Sequence, residues 1–223
     1  MSGNRRDLLR AATIQVLASA GGRGLTHRAV DAAAAVPAGT TKNYFPTRDA
    51  LLRAAAEQCT EQYHQVAAEL MAAAGAPVDR ESLAALLSGL LRNVAGPGRP
   101  RMLAYLELQA EAARRSWLSA ILDPIAAADF AGLEQAQRTA GLPVTPQRAA
   151  AVTLALHAAI PHLLAGGTRT LTHAGLDDLD RFASDLLAAV YPPADHDRRA
   201  GRSDIHVLDP LQRPGHGSGQ MTS

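Results

Sequence analysis

Aromatic residues make up only 4% of this sequence, and Cys59 is its one cysteine. A single cysteine excludes an intrachain disulfide framework and a zinc site built from cysteines. The chain also lacks the glycine-rich motifs that bind phosphates, and no apolar run follows a basic N-terminus as in a secretion signal. These absences argue against a disulfide-stabilised secreted protein and against a nucleotide-binding enzyme. We therefore expect a cytoplasmic location.

Alanine and leucine are abundant instead. Hydrophobic residues account for 47% of the 223 residues and charged residues for 19%, which is enough apolar material for a packed core. Alanine has the highest helix propensity, whereas the valine and isoleucine that favour strands are few. No stretch alternates between polar and apolar residues as a half-buried strand does. The composition therefore predicts an all-α protein.

The charged residues are unevenly distributed along the chain. Residues 1–53 contain eight basic and three acidic side chains, a net charge of +5, whereas the remainder has a net charge of −4. A basic N-terminal part on an acidic remainder indicates a polyanionic partner for the N-terminal part alone. Local fluctuation of a solvated surface is the alternative explanation.

Three helices are predicted in the first 47 residues. Asn4 can cap the first, which Gly21-Gly22 ends, and Thr26 can cap a short second helix. Val36-Pro37 interrupts the second helix, and a third runs from about Ala38 to Phe45. Two short helices after a longer one, with a tight turn between them, are typical of a helix-turn-helix unit.

Longer helices are predicted for the remainder. Pro124 and Pro161 fall inside two of them and should kink or split them. Residues 149–168 carry no charge over a length that could span a bilayer, but this alanine-rich stretch is more simply a buried helix than a membrane segment. Residues 192–223 have little apolar periodicity and are predicted to form a disordered tail. The predicted helices cover roughly Arg48–Ala74 and then about 80–94, 101–115, 117–140, 147–165 and 177–190.

Residues 24–52 carry the clearest functional signal. Leu25, Val30 and Phe45 can close a small core with the first helix, which leaves residues 39–44 facing outward or partly exposed. A helix with small and polar exposed residues fits the major groove, where Thr and Asn can hydrogen-bond base edges. The alternative is an alanine-rich helical hairpin with a structural role. The candidate DNA-binding residues are Thr26, His27, Arg28, Gly39, Thr40, Thr41, Lys42, Asn43, Tyr44 and Arg48.

This segment resembles the DNA-binding domain of the tetracycline-repressor (TetR) family of bacterial transcriptional regulators. Two positions depart from the family's pattern. Ala35 stands where the family usually has Gly, which costs about 1 kcal/mol if the turn needs a positive φ. Lys42 stands where the family often has an aromatic residue, so an ionic phosphate contact could replace the usual tyrosine contact. The residues that carry the resemblance are Gly24-Leu25-Thr26, Val36, Gly39-Thr40, Tyr44-Phe45 and Arg48-Asp49-Ala50-Leu51-Leu52.

The resemblance implies a helix-turn-helix domain in residues 1–47 and a ligand-binding and dimerisation domain in residues 48–191. The expected function is that of a ligand-responsive regulator, most simply a homodimeric repressor that a small organic effector releases from a palindromic operator in double-stranded DNA. A helical binding protein that has lost DNA recognition is the alternative. No cofactor or metal is predicted. No spacing of nucleophiles, histidines or carboxylates indicates an enzyme.

Two sets of residues are candidates for roles in the second domain. The last two predicted helices carry broad apolar faces that could form a four-helix interface with a second subunit. The alternative is that these faces pack only within the subunit. Glu107 and Glu111 lie near two arginines and are interpreted as a surface ion-pair face. The candidate ligand-binding residues are Met102, Tyr105, Gln109, Trp117, Phe130 and His157.

Overall fold

The computed structural model describes residues 2–192, without the side chains of residues 2–4, 67, 70, 71, 73 and 74. The described residues form helices and no strand, which confirms the all-α prediction. The predicted tail lies outside them, apart from its first residue. The helices are α1 (Ser2–Gly24), α2 (His27–Ala33), α3 (Thr40–Tyr44), α4 (Arg48–Ala74), α5 (Arg80–Ala95), α6 (Arg99–Ala112), α7 (Ser116–Thr139), α8 (Pro146–Ala165), α9 (Thr168–His173) and α10 (Leu179–Val190).

The helices of the head, residues 2–47, begin and end largely at the predicted signals. Gly21 has φ 67° and ψ −176°, so it interrupts α1, although one more helical turn follows it up to Gly24. Thr26 caps α2, because its side chain accepts a hydrogen bond from the Ala29 N–H. The third helix begins at Thr40, two residues later than predicted.

One apolar core joins the head to the body, residues 48–192. Leu9 and Leu25 of the head are at most 1% exposed, and they belong to the same cluster as Leu52 of α4 and Leu108 of α6. Complete burial of each such leucine stabilises the fold by about 1.5–3 kcal/mol. The predicted domain boundary after residue 47 therefore falls between two helices that share a core.

A second core lies in the body between α5, α8 and α10 and the C-terminal part of α7. Leu87, Val152 and Leu187 are fully buried in it. Tyr191 closes this core just after α10, where its hydroxyl donates to the side-chain oxygen of Gln137 at 2.7 Å. The Arg80 guanidinium donates to the Tyr191 carbonyl at 2.5 Å, which ties α5 to the end of α10.

The body also departs from the predicted helices. Pro124 and Pro161 lie inside α7 and α8, and neither divides its helix in two. The short helix α9 was not predicted from the sequence. The apolar helix α8 has the length and composition of a membrane span, but one side of it packs in the second core. Leu154 on α8 is 57% exposed.

Candidate DNA-binding head and ligand cavity

The turn between α2 and α3 is held by one carboxylate. Asp31 of α2 is 3% exposed and accepts hydrogen bonds from the N–H groups of Gly39 and Thr41, both at 2.7 Å. Burial raises the pKa of the Asp31 carboxyl, but hydrogen bonds from Thr41 and Gly39 outweigh it, so the pKa lies below its ordinary value. Asp31 thus caps the start of α3 from the neighbouring helix, a role that the sequence analysis missed.

The backbone of this turn is left-handed at two positions. Ala35 has φ 51°, the only positive φ at a non-glycine residue within residues 2–192. The turn therefore does require the conformation that glycine adopts most easily. Gly39 has φ 89°, and a Cβ added there would meet no atom within 4 Å. Gly39 is therefore required for the left-handed backbone conformation and not for lack of space. Because it has no side chain, the surface beside the first turn of α3 stays uncovered.

The side chains of α3 divide into exposed and buried ones. Lys42 and Asn43 are exposed, and Thr40 is half-buried, with its hydroxyl donating to the Pro37 carbonyl at 2.6 Å. The prediction that Thr41 belongs to the outward-facing set is wrong, because its side chain is fully buried. Tyr44 is half-buried and packs against the first core. We call Gly39, Thr40, Lys42 and Asn43 the recognition face.

The residues at the start of α2 also divide. Arg28 is exposed. His27 is half-buried, and its Nε2 lies 2.6 Å from the Phe45 carbonyl oxygen. Because a carbonyl only accepts, Nε2 carries the proton and donates to it. His27 therefore joins α2 to the end of α3, a contact that its prediction as a DNA-binding residue did not foresee.

Arg48 was predicted as a DNA-binding residue, but its guanidinium is occupied within the molecule. It donates to the carbonyls of Leu25 at 2.8 Å and Gly22 at 2.7 Å, and it lies 3.3 Å from a carboxylate oxygen of Glu111. The first turn of α4 is thereby fixed to the end of α1. This geometry gives Arg48 a positioning role that the sequence analysis missed, and its contact with DNA stays a prediction.

Two glutamates of α6 complete this contact between head and body. The Gly22 N–H, just after the break in α1, donates to Glu107 at 2.7 Å. The Glu111 side chain is 13% exposed and also pairs with Arg115. The predicted ion pairs are confirmed for Glu111, which pairs with Arg114 and Arg115, but the two glutamates face the head and do not form a solvated surface. We call Arg48, Glu107 and Glu111 the head–body clamp.

A cavity of about 550 Å³ lies in the body, bounded by side chains from α4 to α8. Of the predicted ligand-binding residues, Met102, Tyr105 and His157 line it. Most of its wall is aliphatic, which suits a small organic molecule. The polar and charged side chains in its wall are those of Cys59, Tyr63, His64, Asn93, Arg101, Tyr105, Asp129, Gln135, Thr139 and His157.

The other three predicted residues lie outside the wall, which corrects that part of the prediction. Gln109 is exposed, and Trp117 packs against the first core with the Arg53 guanidinium 4.8 Å from its ring centroid. Phe130 meets the edge of the His157 ring at a centroid distance of 5.9 Å, without lining the cavity.

The polar centre of the cavity is Asp129 on α7, which the sequence analysis did not single out. The Tyr63 hydroxyl of α4 donates to one carboxylate oxygen at 2.6 Å, and Nε2 of His157 on α8 lies 3.2 Å from the other. Burial, reinforced by Asp129, raises the pKa of Tyr63. Burial also raises the pKa of Tyr105 to about 12 and that of Cys59 to about 11, so these groups are neutral at physiological pH.

The fold and these two sites define a class of protein: an all-helical chain with an N-terminal helix-turn-helix unit and a body that encloses a cavity. A family model described as "Tetracyclin repressor-like, C-terminal domain" matches residues 78–193. The chain therefore belongs to the TetR family of transcriptional regulators.

Several solved structures resemble this chain over most of its length. A TetR-family member from Streptomyces coelicolor A3 is 29% identical, with 85% of this chain and 99% of the other covered and a TM-score of 0.59. The multidrug binding protein EbrR, in complex with ethidium, is also 29% identical, with 85% and 99% covered and a TM-score of 0.61. A TetR-family regulator from Rhodococcus sp., 24% identical over 86% and 100% with a TM-score of 0.61, supports the fold alone. A search of curated proteins found no match.

Proposed function

We propose that this protein is a cytoplasmic homodimeric repressor that binds a palindromic operator and is released by a small organic effector. The observation that carries the proposal is the recognition face. Its residues lie on a short helix whose start is fixed by Asp31, and Arg28 is exposed on the preceding helix. A polar face presented by a rigid helix-turn-helix unit is what major-groove recognition requires.

The recognition face divides by chemistry into specific and general contacts. The Asn43 amide can pair with the edge of an adenine, and the hydroxyl of Thr40 can hydrogen-bond a base. Lys42 and Arg28 are exposed cations suited to phosphates, and the free N–H groups at the start of α2 can bind another. Gly39 lets the backbone approach the duplex closely, because no side chain stands between them.

We place the dimer interface on α8 and α10. Each helix buries one side in the second core, while apolar side chains on its other sides keep exposed surface. Leu154 on α8 is exposed, and Phe182 and Leu186 on α10 are half-buried. Pairing these helices with those of a second copy would form a four-helix interface. A two-fold axis there would also present two heads to successive major grooves.

The cavity is the proposed effector site. Its volume of about 550 Å³ and largely aliphatic wall suit a drug-sized molecule. The multidrug binding protein EbrR was solved with ethidium, with proflavin and with malachite green. Those complexes support small organic molecules as effectors for this chain too.

Helix α6 offers a route from the cavity to the head. Arg101, Met102 and Tyr105 line the cavity near its start, and Glu107 and Glu111 hold the head near its end. Residues 101 and 111 are about 15 Å apart along a helix, at about 1.5 Å per residue. A ligand that prefers one position of α6 therefore shifts the population of head positions and lowers operator affinity by its differential binding.

Gel retardation with fragments selected by the purified protein from its own genome tests the DNA-binding proposal. We expect a preferred fragment to be retarded, with binding that weakens with salt in proportion to the phosphates contacted. Asn43→Ala should lose discrimination between this fragment and random duplex, whereas Arg28→Ala should weaken both equally. A folded dimer that binds no fragment better than random DNA would instead identify a binding protein without operator recognition.

The coupling route has a separate test in Glu107→Ala. This change removes the hydrogen bond to Gly22 without touching the cavity wall. We expect malachite green, with which EbrR was also solved, to bind the variant as it binds the native protein, yet to cause a smaller loss of operator affinity. An unchanged effect of malachite green on DNA binding in Glu107→Ala would contradict this route.

A further inference from the structure

We infer that the cavity selects organic cations and that Asp129 is the counter-ion that receives the positive group. This inference rests on the proposed effector role of the cavity and names the chemical class of its ligand. The carboxylate is held by Tyr63 and His157, whose helices α4 and α8 converge on α7 at this point. Its position is therefore fixed before any ligand enters, which lowers the cost of binding.

The two hydrogen-bond partners of Asp129 are the Tyr63 hydroxyl and Nε2 of His157, so within the described part of the chain no permanently charged side chain pairs with this carboxylate. The tyrosine hydroxyl is neutral, since the pKa of Tyr63 is raised, and it donates to one carboxylate oxygen only. Within residues 2–192 no arginine or lysine lies within 4 Å of this carboxylate. A carboxylate oxygen accepts more than one hydrogen bond, so each still has capacity for an ammonium or amidinium N–H.

The aromatic residues around Asp129 favour the same class of ligand. Tyr63, Tyr105 and His157 line the cavity, and Phe130 makes an edge-to-face contact with the His157 ring. Aromatic faces attract cations within about 6 Å of the ring centroid and give anions no such attraction. In a largely aliphatic cavity the carboxylate and these rings together can replace the water that a cation loses.

Arg101 also lines the cavity, and its positive charge defines the alternative to a cation site, which is a site for an anionic ligand. Its Nη2 lies 3.3 Å from the Asn93 side-chain oxygen, beside the turn that joins α5 to α6. Burial lowers the pKa of Arg101 because it disfavours the positive charge. The same burial makes a second cation unfavourable beside Arg101. The ligand's charge therefore binds at Asp129, with its uncharged part towards Arg101. An anion held by Arg101 would be the opposite arrangement.

Fluorescence titration of the full-length protein with three probes tests the inference. Ethidium is a permanent cation, N-phenyl-1-naphthylamine is neutral, and 1-anilinonaphthalene-8-sulfonate is an anion of the same ring skeleton as the neutral probe. We expect the native protein to bind ethidium most tightly. Asp129→Asn, of nearly equal shape, should weaken ethidium binding at least tenfold and leave the neutral probe unchanged, which also shows that the cavity is intact.

Arg101→Gln is the matched control, because it removes the opposite charge from the same wall. We expect it to bind ethidium as tightly as the native protein or more tightly. Preferential binding of the sulfonate, lost in Arg101→Gln, would overturn the inference, and so would equal ethidium binding by Asp129→Asn or no ethidium binding at all. The gel retardation assay reports on operator binding separately, so failure of the repressor proposal is distinguishable from failure of the cation site.

Discussion

Replacing Asp31 by Asn tests whether the recognition face depends on a single buried carboxylate. Asp31 accepts two hydrogen bonds of 2.7 Å, from the N–H groups of Gly39 and Thr41. Asparagine keeps one acceptor oxygen but turns an NH₂ group towards the other N–H, which then lacks a partner. Loss of one charge-assisted hydrogen bond and burial of an unpaired donor should lower the free energy of unfolding by about 2–4 kcal/mol near neutral pH.

The pH dependence of this loss has a definite sign. The folded-state pKa of Asp31 lies below its ordinary value of 3.8, so the carboxylate stabilises the native state above that value and the contribution is lost as pH falls through the folded-state pKa. Urea unfolding followed by circular dichroism should therefore show a full difference between native protein and Asp31→Asn at about pH 7. The difference should narrow below about pH 4.

Asp123→Asn is the control, since Asp123 is an exposed carboxylate on α7, outside the head. It removes the same charge and should change stability by less than about 0.5 kcal/mol. Asp31→Asn should also lose operator binding, because a five-residue helix has little stability of its own. The reasoning is refuted if Asp31→Asn is as stable as the control at neutral pH, or if its deficit stays constant on acidification.

Three further predictions concern glycine and cysteine positions. Ala35→Gly should raise the free energy of unfolding by up to about 1 kcal/mol. The relief of the positive φ is worth about 1–2 kcal/mol, which exceeds the cost of the larger conformational entropy of glycine in the unfolded chain. A lower urea midpoint for the variant would contradict this. Gly22→Ala places a Cβ 3.1 Å from a Glu111 oxygen, so it should destabilise the head–body clamp and lower the urea midpoint. Gly89→Ala is the control, because the space around its added Cβ is open. It should raise the free energy of unfolding by about 0.5–1 kcal/mol in the same assay. Cys59, with its pKa near 11, should resist iodoacetamide at about pH 8 in the native protein and react in urea, and mass spectrometry would expose any rapid native alkylation.

Local signals account for the elements that could be predicted. Thr26 was expected to cap α2 and does so, because an N-cap depends on residues three apart in the chain. Helix α4 has the predicted bounds, since Pro46-Thr47 and Gly75 mark its two ends. The strain expected at Ala35 follows from the turn that its neighbours enforce. Each of these features is decided within a few residues.

Contacts between distant residues account for the corrections and for the roles that the sequence analysis missed. Thr41 was grouped with the exposed residues, but its burial depends on how α3 lies against α2 and the first core. Arg48 was predicted to contact DNA, and its positioning role depends on carbonyls more than twenty residues away. Asp129 is an ordinary polar residue in the sequence, and only the packing of α4 and α8 against α7 makes it the polar centre of a cavity.

The amino-acid sequence by itself determined that the chain is helical, where most helices begin and end, and that a basic N-terminal unit precedes an acidic remainder. These properties follow from helix propensity and charge, which belong to single residues, and from helix capping, which joins residues a few positions apart. Only the tertiary structure decided which polar groups stay exposed in the head, which of them form the head–body clamp, and which helices enclose the cavity. These features depend on which helix faces pack together. A side chain is buried by residues that are distant in the sequence, so its burial cannot be inferred from its neighbours along the chain.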